Sequence, residues 1–311
     1  MNGVEAKRRM STNDIAAVTA LLDETSTADG RPALSDHLRL DLDSGGGAGF
    51  AGFIIREAGT ELPYAYAQIS GGNDSSALEI VVDPTHRDEL KAIDAELIGC
   101  ALAVVAGDGG GQLSWWVSEP TSIERTLAED AGMHLDRTLL QMRRPLPTER
   151  DVAVETRAFV PGSDEAAWLE VNNRAFADHG EQGGWTMETL RQRQREPWFD
   201  PEGFRIHERD GRVAAFCWTK VHPPEATGGQ ELGEIYVIAV DPDFHGLGLG
   251  TQLTLAGLEH LAQLGITTGL LYVDAGNTTA VAMYERLGFE IHSANAAYMI
   301  DIAPDTMEPT P

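Results

Sequence analysis

The chain has few cysteines, few basic residues and no long apolar run, and each shortage excludes a class of protein. Only two of its 311 residues are cysteines, Cys100 and Cys217, which lie far apart and exclude a disulfide framework. Lysine and arginine number 23 against 49 acidic residues, giving a net charge of −26 that argues against nucleic acid and anionic membranes as partners. No apolar run of about 18 residues is present. We therefore expect a soluble cytoplasmic protein.

The histidines form no recognisable motif. The nine histidines are scattered without the spacing of a metal site, so no metal cofactor is expected. Cys217 lies between Phe216 and Trp218 in an apolar stretch, which favours a place in the core over a role as nucleophile. Hydrophobic residues at 42% are enough for one large core or two ordinary ones.

The most informative stretch begins at Glu234. An apolar run from Ile235 to Val240 predicts a buried strand, Asp241-Pro242 ends it, and a glycine-rich turn runs from His245 to Gly250. Helical spacing of apolar residues begins near Thr251. Successive backbone amides at the start of such a helix form an anion site that needs no side-chain charge. The spacing fits neither a P-loop nor a dinucleotide fingerprint, so the prediction is a phosphate or pyrophosphate ligand of another kind.

The same order of elements occurs twice. Val82-Asp83-Pro84 precedes a helix as Val240-Asp241-Pro242 does, and the later Gly132 and Gly288 follow at nearly equal spacing. We read this as two copies of one fold, with an N-terminal domain at 1–147, a C-terminal catalytic domain at 148–303 and a disordered tail at 304–311. The loop after Pro84 has no glycine, so the first copy is expected to have lost the anion site.

The second copy resembles the GNAT N-acetyltransferases. The resemblance rests on the Val-Asp-Pro and glycine-rich turn and on the segment Tyr272-Val-Asp-Ala-Gly-Asn-Thr-Thr-Ala-Val-Ala-Met-Tyr-Glu-Arg-Leu-Gly-Phe289. It implies an α/β fold (an α+β mixed sheet) in two tandem acyl-CoA N-acyltransferase domains. It also implies acetyl-CoA as the co-substrate. The family usually has Gln or Arg where this chain has His245.

Acetyl transfer to an amine needs a base, a polarised thioester carbonyl and a proton for the leaving thiolate. Glu234 is the candidate base, and a side-chain period of two places it on one face with Tyr236 and Ile238. The alternative is a solvated strand end. Tyr284, seven residues after Asn277 on a predicted helix, is the candidate acid; the alternative is a core residue. The GNAT resemblance also implies a strand bulge in this region that frees an amide as oxyanion donor, for which Val240 is the candidate.

A closer resemblance narrows the family. Segments such as Val171-Asn-Asn-Arg-Ala-Phe-Ala-Asp178, Glu196-Pro-Trp-Phe-Asp-Pro201 and Trp218-Thr-Lys-Val-His222 resemble the mycothiol synthase family of tandem GNAT proteins. That family moves acetyl from acetyl-CoA to the cysteine amine of Cys-GlcN-Ins. The resemblance covers about 154–302 closely and the N-terminal half loosely. It implies a general base at Glu234 and a general acid at Tyr284.

The resemblance also implies two sets of binding residues. Acetyl-CoA would bind to Ile238, Ala239, Val240, His245, Gly246, Leu247, Gly248, Leu249, Gly250, Thr251, Asn277, Thr278, Thr279, Ala280, Val281 and Ala282. Cys-GlcN-Ins would bind to Asp36, Glu181, Lys220, Glu234 and Tyr272. Two alternatives stay open: a GNAT enzyme for another small amine or a peptide N-terminus, and a non-catalytic acyl-CoA-binding module. A monomer is expected.

Overall fold

The computed structural model describes residues 3–57, 59–72, 75–177 and 182–305, without the side chain of Ala226. Within these ranges the chain forms twelve strands and eight α-helices. The strands are β1 (Glu5–Lys7), β2 (Ala51–Arg56), β3 (Pro63–Gly71), β4 (Ser76–Val82), β5 (Gly111–Ser118), β6 (His134–Pro145), β7 (Arg157–Ala158), β8 (Phe204–Arg209), β9 (Arg212–His222), β10 (Leu232–Val240), β11 (Thr268–Asp274) and β12 (Glu290–Ile302). The helices are α1 (Thr12–Asp29), α2 (Asp36–Asp43), α3 (Leu90–Gly107), α4 (Ser122–Asp130), α5 (Glu165–Ala175), α6 (Met187–Gln194), α7 (Leu249–Gln263) and α8 (Thr278–Arg286).

The chain divides into two compact units that are not contiguous in sequence. Unit 1 consists of Met1–Leu139, Glu225–Gly229 and Ala294–Pro311. Unit 2 consists of Leu140–Pro224 and Gln230–Ser293. Most of β12 therefore belongs to unit 1, although it follows the last helix of unit 2 in the chain.

Unit 1 is a mixed sheet in the order β1-β2-β3-β4-β5-β12. β12 pairs antiparallel with β5 from Asn295 to Ile302, whereas β4 and β5 are parallel. One face packs against α3 and α4 around a core that includes Leu97, and the other packs against α1 and α2 around Tyr66. Ser11 caps α1 in a capping box with Asp14, which satisfies amides that a helix start leaves free.

Unit 2 is also a mixed sheet, in the order β6-β11-β10-β9-β8-β7. One face carries an aromatic core under α5 and α6, with Trp168 surrounded by Phe204, Phe216 and Trp218. The other face packs against α7 so closely that a methyl group on Gly257 would lie 2.5 Å from the sulfur of Cys217.

Two local predictions need correction. The sequence over 154–160 predicts a strand, but only Arg157 and Ala158 pair with β8. α7 begins at Leu249 and not at Thr251, because Gly248 adopts the left-handed conformation and serves as the N-cap. In the described part of the chain, no helix is both long and apolar enough to cross a membrane.

The packing of α7 gives a stability prediction. The Gly257→Ala substitution adds a methyl group 2.5 Å from the Cys217 sulfur and 2.7 Å from Ile235 Cδ1, so the helix must shift. We expect a loss of about 1–3 kcal/mol in the free energy of unfolding, read as a lower thermal midpoint. Gly99→Ala in α3 is the control, because no atom lies within 4 Å of the added carbon. An equal or higher midpoint for Gly257→Ala than for Gly99→Ala would contradict the packing argument.

Candidate active site

The candidate site is built on the edge where β10 leaves its neighbour. β10 pairs in parallel with β11 only from Gly233 to Ile235, yet continues to Val240. On its other side β10 stays paired with β9, and the register shifts between Ile235 and Val237, so Tyr236 is an extra, bulged residue. A strand that has parted from one neighbour offers its backbone groups to an extended ligand.

The bulge decides which side chains share a face. Trp218 belongs to the aromatic core under α5 and α6, and its ring contacts that of Tyr236 at 5.4 Å. Ile238 is the partner of Cys217, which lies under α7. The prediction that Glu234, Tyr236 and Ile238 share one face is therefore wrong for Ile238. The extra residue reverses the alternation, because side-chain direction depends on an unbroken period of two.

Glu234 is buried, with 7% of its surface exposed, on the face that carries α5 and α6. Its Cα partner on β9 is Lys220, and on β11 it is Leu270. Its Oε2 lies 2.6 Å from Nε2 of His222, which is also largely buried. A carboxylate can only accept, so Nε2 of His222 carries the hydrogen in this bond. The alternative of a solvated strand end is thus wrong.

Lys220 lies on the same face and is 7% exposed. Its ammonium group lies over two rings, 4.8 Å from the centroid of Trp198 and 5.5 Å from that of Tyr236. Arg193 of α6 donates to the Tyr236 hydroxyl at 3.1 Å. Cation–π contacts hold a lysine that has little water around it. The result is a polar and aromatic wall beside Glu234, suited to an acceptor with hydroxyl groups.

The remaining predicted acceptor residues fall in three places. Tyr272 is two residues after Leu270 on β11, hence on the face of Glu234, and its hydroxyl accepts from Gln141 Nε2 at 2.7 Å. Asp36 belongs to unit 1, in the first turn of α2. Glu181 lies outside the described residues. Unit 2 thus brings together Glu234, Lys220 and Tyr272.

The glycine-rich turn follows β10 directly. Gly246 and Gly248 have φ values of 80° and 74°, a conformation that side chains disfavour. Among the described residues, no acceptor is present for the amides of residues 246–251, and the first amide of this segment to bond within the helix is that of Gln252, at 3.3 Å from the Gly248 carbonyl. Six successive free amides at a helix start form an anion site. The His245 side chain contacts the end of β10, where its Nε2 lies 3.1 Å from the Val240 carbonyl oxygen.

An ion pair with a buried carboxylate stabilises the start of this turn. Asp241, 1% exposed, accepts from the Asp243 amide at 2.9 Å and from Arg174 of α5 at 2.9 Å. Arg174 also reaches Asp243 at 3.1 Å, and Arg212 reaches Asp243 at 3.0 Å. The pair with Arg212 lowers the pKa of Asp243. These contacts join the end of β10 to α5 and hold the start of the turn.

α8 begins beside the same turn. Asn277 caps it by accepting from the Ala280 amide at 3.1 Å. A methyl group on Gly250 would lie 3.5 Å from the Met283 sulfur, so the helix borders the glycine turn. The residues Thr278, Thr279, Ala280, Val281 and Ala282 form its first turns, and all are at least partly exposed.

Tyr284 of α8 is 6% exposed. Its ring makes an edge contact with Phe289 at 5.8 Å. Burial raises the pKa of the phenol, and the nearby Cys217 thiol adds to the effect. Burial also raises the pKa of the Cys217 thiol, because that residue has no exposed surface. A thiol with a raised pKa is a poor nucleophile, so Cys217 is a core residue as predicted.

Two residues of the site were missed at the level of sequence. His222 was not singled out, although a hairpin between β9 and β10 places it diagonally across from Glu234. Arg174 carried no such signal, because its partner Asp241 lies far along the chain.

Comparison with known proteins identifies the family. The profile of the acetyltransferase (GNAT) family matches residues 167–289. The mycothiol acetyltransferase of Streptomyces avermitilis is 42% identical over 302 residues, covering 95% of this chain and 94% of its own. That of Thermobispora bispora is 42% identical over 301 residues, covering 95% and 99%. The chain belongs to the mycothiol acetyltransferase family.

Solved structures of acetyltransferases have a similar fold. The GCN5-related N-acetyltransferase from Sphaerobacter thermophilus has a TM-score of 0.64 at 19% identity, with 99% of this chain and 98% of that chain covered. A tandem GNAT protein from the clavulanic acid biosynthesis pathway has a TM-score of 0.65 at 16% identity, covering 97% and 100%. The predictions of a tandem GNAT fold with a mixed sheet and of an acyltransferase are confirmed.

The ion pair under the turn gives a second prediction. Asp241→Asn keeps the acceptor for the Asp243 amide but leaves Arg174 without its buried partner. We expect a loss of about 1–3 kcal/mol in the free energy of unfolding, limited by the partial exposure of Arg174. The thermal midpoint measures it. Asp243→Asn is the control, because Asp243 is half-exposed and solvent screens its pairs. Equal effects of the two variants would contradict a role for burial.

Proposed function

We propose that this protein transfers acetyl from acetyl-CoA to the cysteine amine of Cys-GlcN-Ins, the last step of mycothiol biosynthesis. One observation carries the catalytic part: the buried carboxylate of Glu234 lies where β10 parts from β11, on a face with Lys220 and Tyr272. The acceptor follows from the relatives, which are named mycothiol acetyltransferase. Asp36 and Glu181 stay predicted acceptor residues on the sequence resemblance alone.

Acetyl-CoA would lie along the parted edge. The free amides from Gly246 to Thr251 would hold the pyrophosphate, and the edge from Ile238 to Val240 would pair with the pantetheine arm. The start of α8, from Asn277 to Ala282, would border the arm on the other side. The two left-handed glycines support this fit, since a Cβ on either would strain the turn that presents the amides.

The reaction is a direct transfer. Glu234 takes a proton from the substrate ammonium group, and the neutral amine attacks the thioester carbonyl. The amide of Val240 donates to the oxyanion, a contact worth about 3–4 kcal/mol of barrier lowering. As the C–S bond breaks, Tyr284 gives its proton to the thiolate, and the second amine proton leaves to restore the phenol. The products are the amide, CoA as thiol and one proton.

Unit 1 is proposed to have no acetyl-CoA site. The segment after Asp83 is a 3-10 helix, Pro84–Glu89, that leads directly into α3. The side chain of Asp83 accepts the Thr85 amide, and its carbonyl accepts the His86 amide. The His86 ring stacks on Tyr64 at 4.5 Å. With no glycine in the turn and a 3-10 helix that continues directly into α3, this copy offers no glycine-rich turn to cradle a phosphate.

Mass spectrometry of the acetylated product tests the proposal and the base together. With acetyl-CoA and Cys-GlcN-Ins, the protein should form the N-acetyl product. Glu234→Gln should lower kcat by about 10²–10⁴-fold, because the amine then keeps its proton, while acetyl-CoA still binds. The product is followed directly, since the thiol of the acceptor itself disturbs free-thiol assays.

Two other results would contradict the proposal. Turnover of another small amine or a peptide N-terminus, with none of Cys-GlcN-Ins, would mean a different acceptor. Binding of acetyl-CoA without turnover of any amine, in the wild-type chain, would mean an acyl-CoA-binding module.

The buried phenol gives a pH prediction. Because burial raises the pKa of Tyr284, the protonated and donating form persists above the ordinary value for tyrosine. We expect kcat to show no loss from this group between pH 7 and about 10. The pH–rate profile of kcat checks this, with Tyr284→Phe for comparison. A fall in the wild-type profile below pH 10 that is missing in the residual rate of Tyr284→Phe would contradict it.

A further inference from the structure

His222 is a largely buried residue of unit 2 that has no assigned role in the proposed reaction. It ends β9, and its Nε2 lies 2.6 Å from Oε2 of Glu234. Both side chains are about nine-tenths buried. An ionised carboxylate is costly to bury without a donor, and a short charge-assisted bond is the strong kind. The bond occupies Oε2 and leaves Oε1 as the oxygen for a substrate proton.

The other polar side chains around this pair have contacts of their own. Lys220, directly opposite Glu234, has its ammonium group over the rings of Trp198 and Tyr236. Tyr236 on β10 is bonded by Arg193 of α6, and Tyr272 on β11 by Gln141. His222 is therefore the group in this wall with a short bond to the carboxylate of Glu234.

We propose that His222 is a positioning residue for the reaction, which donates from Nε2 to Glu234 and holds the carboxylate with Oε1 toward the acceptor amine. This inference rests on the proposed function. A glutamate has three side-chain torsions, and fixing them in advance avoids an entropy cost at the moment of reaction. β9 and β10 are paired through both positions, so the strand register sets the distance between the two groups.

Two substitutions separate the bond from the packing. His222→Phe keeps a ring of similar size but has no donor, and His222→Gln keeps an N–H donor near the position of Nε2. We expect His222→Phe to lower kcat for Cys-GlcN-Ins by about 10–100-fold, since misplaced groups cost that much. The KM for acetyl-CoA should stay unchanged. His222→Gln should recover most of kcat.

The chain offers a matched control. His260 of α7 lies 3.0 Å from Asp200 and has the same side-chain exposure as His222, 12%. It is thus a second histidine–carboxylate pair of unit 2, placed on the helix that covers the other face. His260→Phe should leave kcat unchanged, and thermal midpoints show that both phenylalanine variants fold.

The outcomes are distinct. A kcat for His222→Phe within about twofold of wild type, with Glu234→Gln inactive, would overturn the positioning role and leave the proposed function standing. An equal loss in His222→Phe and His222→Gln would overturn it as well, because the donor would not matter. Full activity of Glu234→Gln would instead refute the proposed base. Loss in His222→Phe with recovery in His222→Gln and no loss in His260→Phe supports the inference.

Discussion

One extra residue in β10 is the constraint on which the site depends. Because Tyr236 is bulged, the strand changes direction where its pairing with β11 ends. Before the bulge, Glu234 faces the aromatic wall; after it, Ile238 is paired with Cys217 and faces the opposite side of the sheet. The proposed base and the strand edge proposed to hold the thioester thus both lie where β10 parts from β11. Without the extra residue, Ile238 would face the same side of the sheet as Glu234.

With a net charge of −26, the chain would repel the phosphates of the proposed acetyl-CoA ligand unless local positive charge offsets the repulsion. In unit 2 the free backbone amides of the glycine-rich turn carry partial positive charge, and no charged side chain is needed. Its arginines near the turn serve another purpose: Arg174 and Arg212 pair with Asp241 and Asp243. They hold the turn in place, and the turn presents the amides.

The two units show how one local turn can lead to different outcomes. Asp83 and Asp241 have nearly the same backbone angles, φ −50° and ψ 133° against φ −57° and ψ 135°, and each caps a 3-10 helix. After that the paths separate. In unit 1 the chain runs straight into α3, whereas in unit 2 it extends at His245 and turns at two left-handed glycines before α7. The glycines mark the copy that keeps the amides free.

The sequence by itself determined the features that depend on neighbouring residues. Strand, Asp-Pro stop, glycine turn and helix follow from local backbone preferences, and the asparagine cap of α8 does too. Tertiary structure decided the rest. The pairing of β12 with β5 depends on register between residues distant in the chain, and the bulge and the bond from His222 to Glu234 depend on the exact register of the β9–β10 hairpin. Register is set by packing of whole faces, so no single segment contains it.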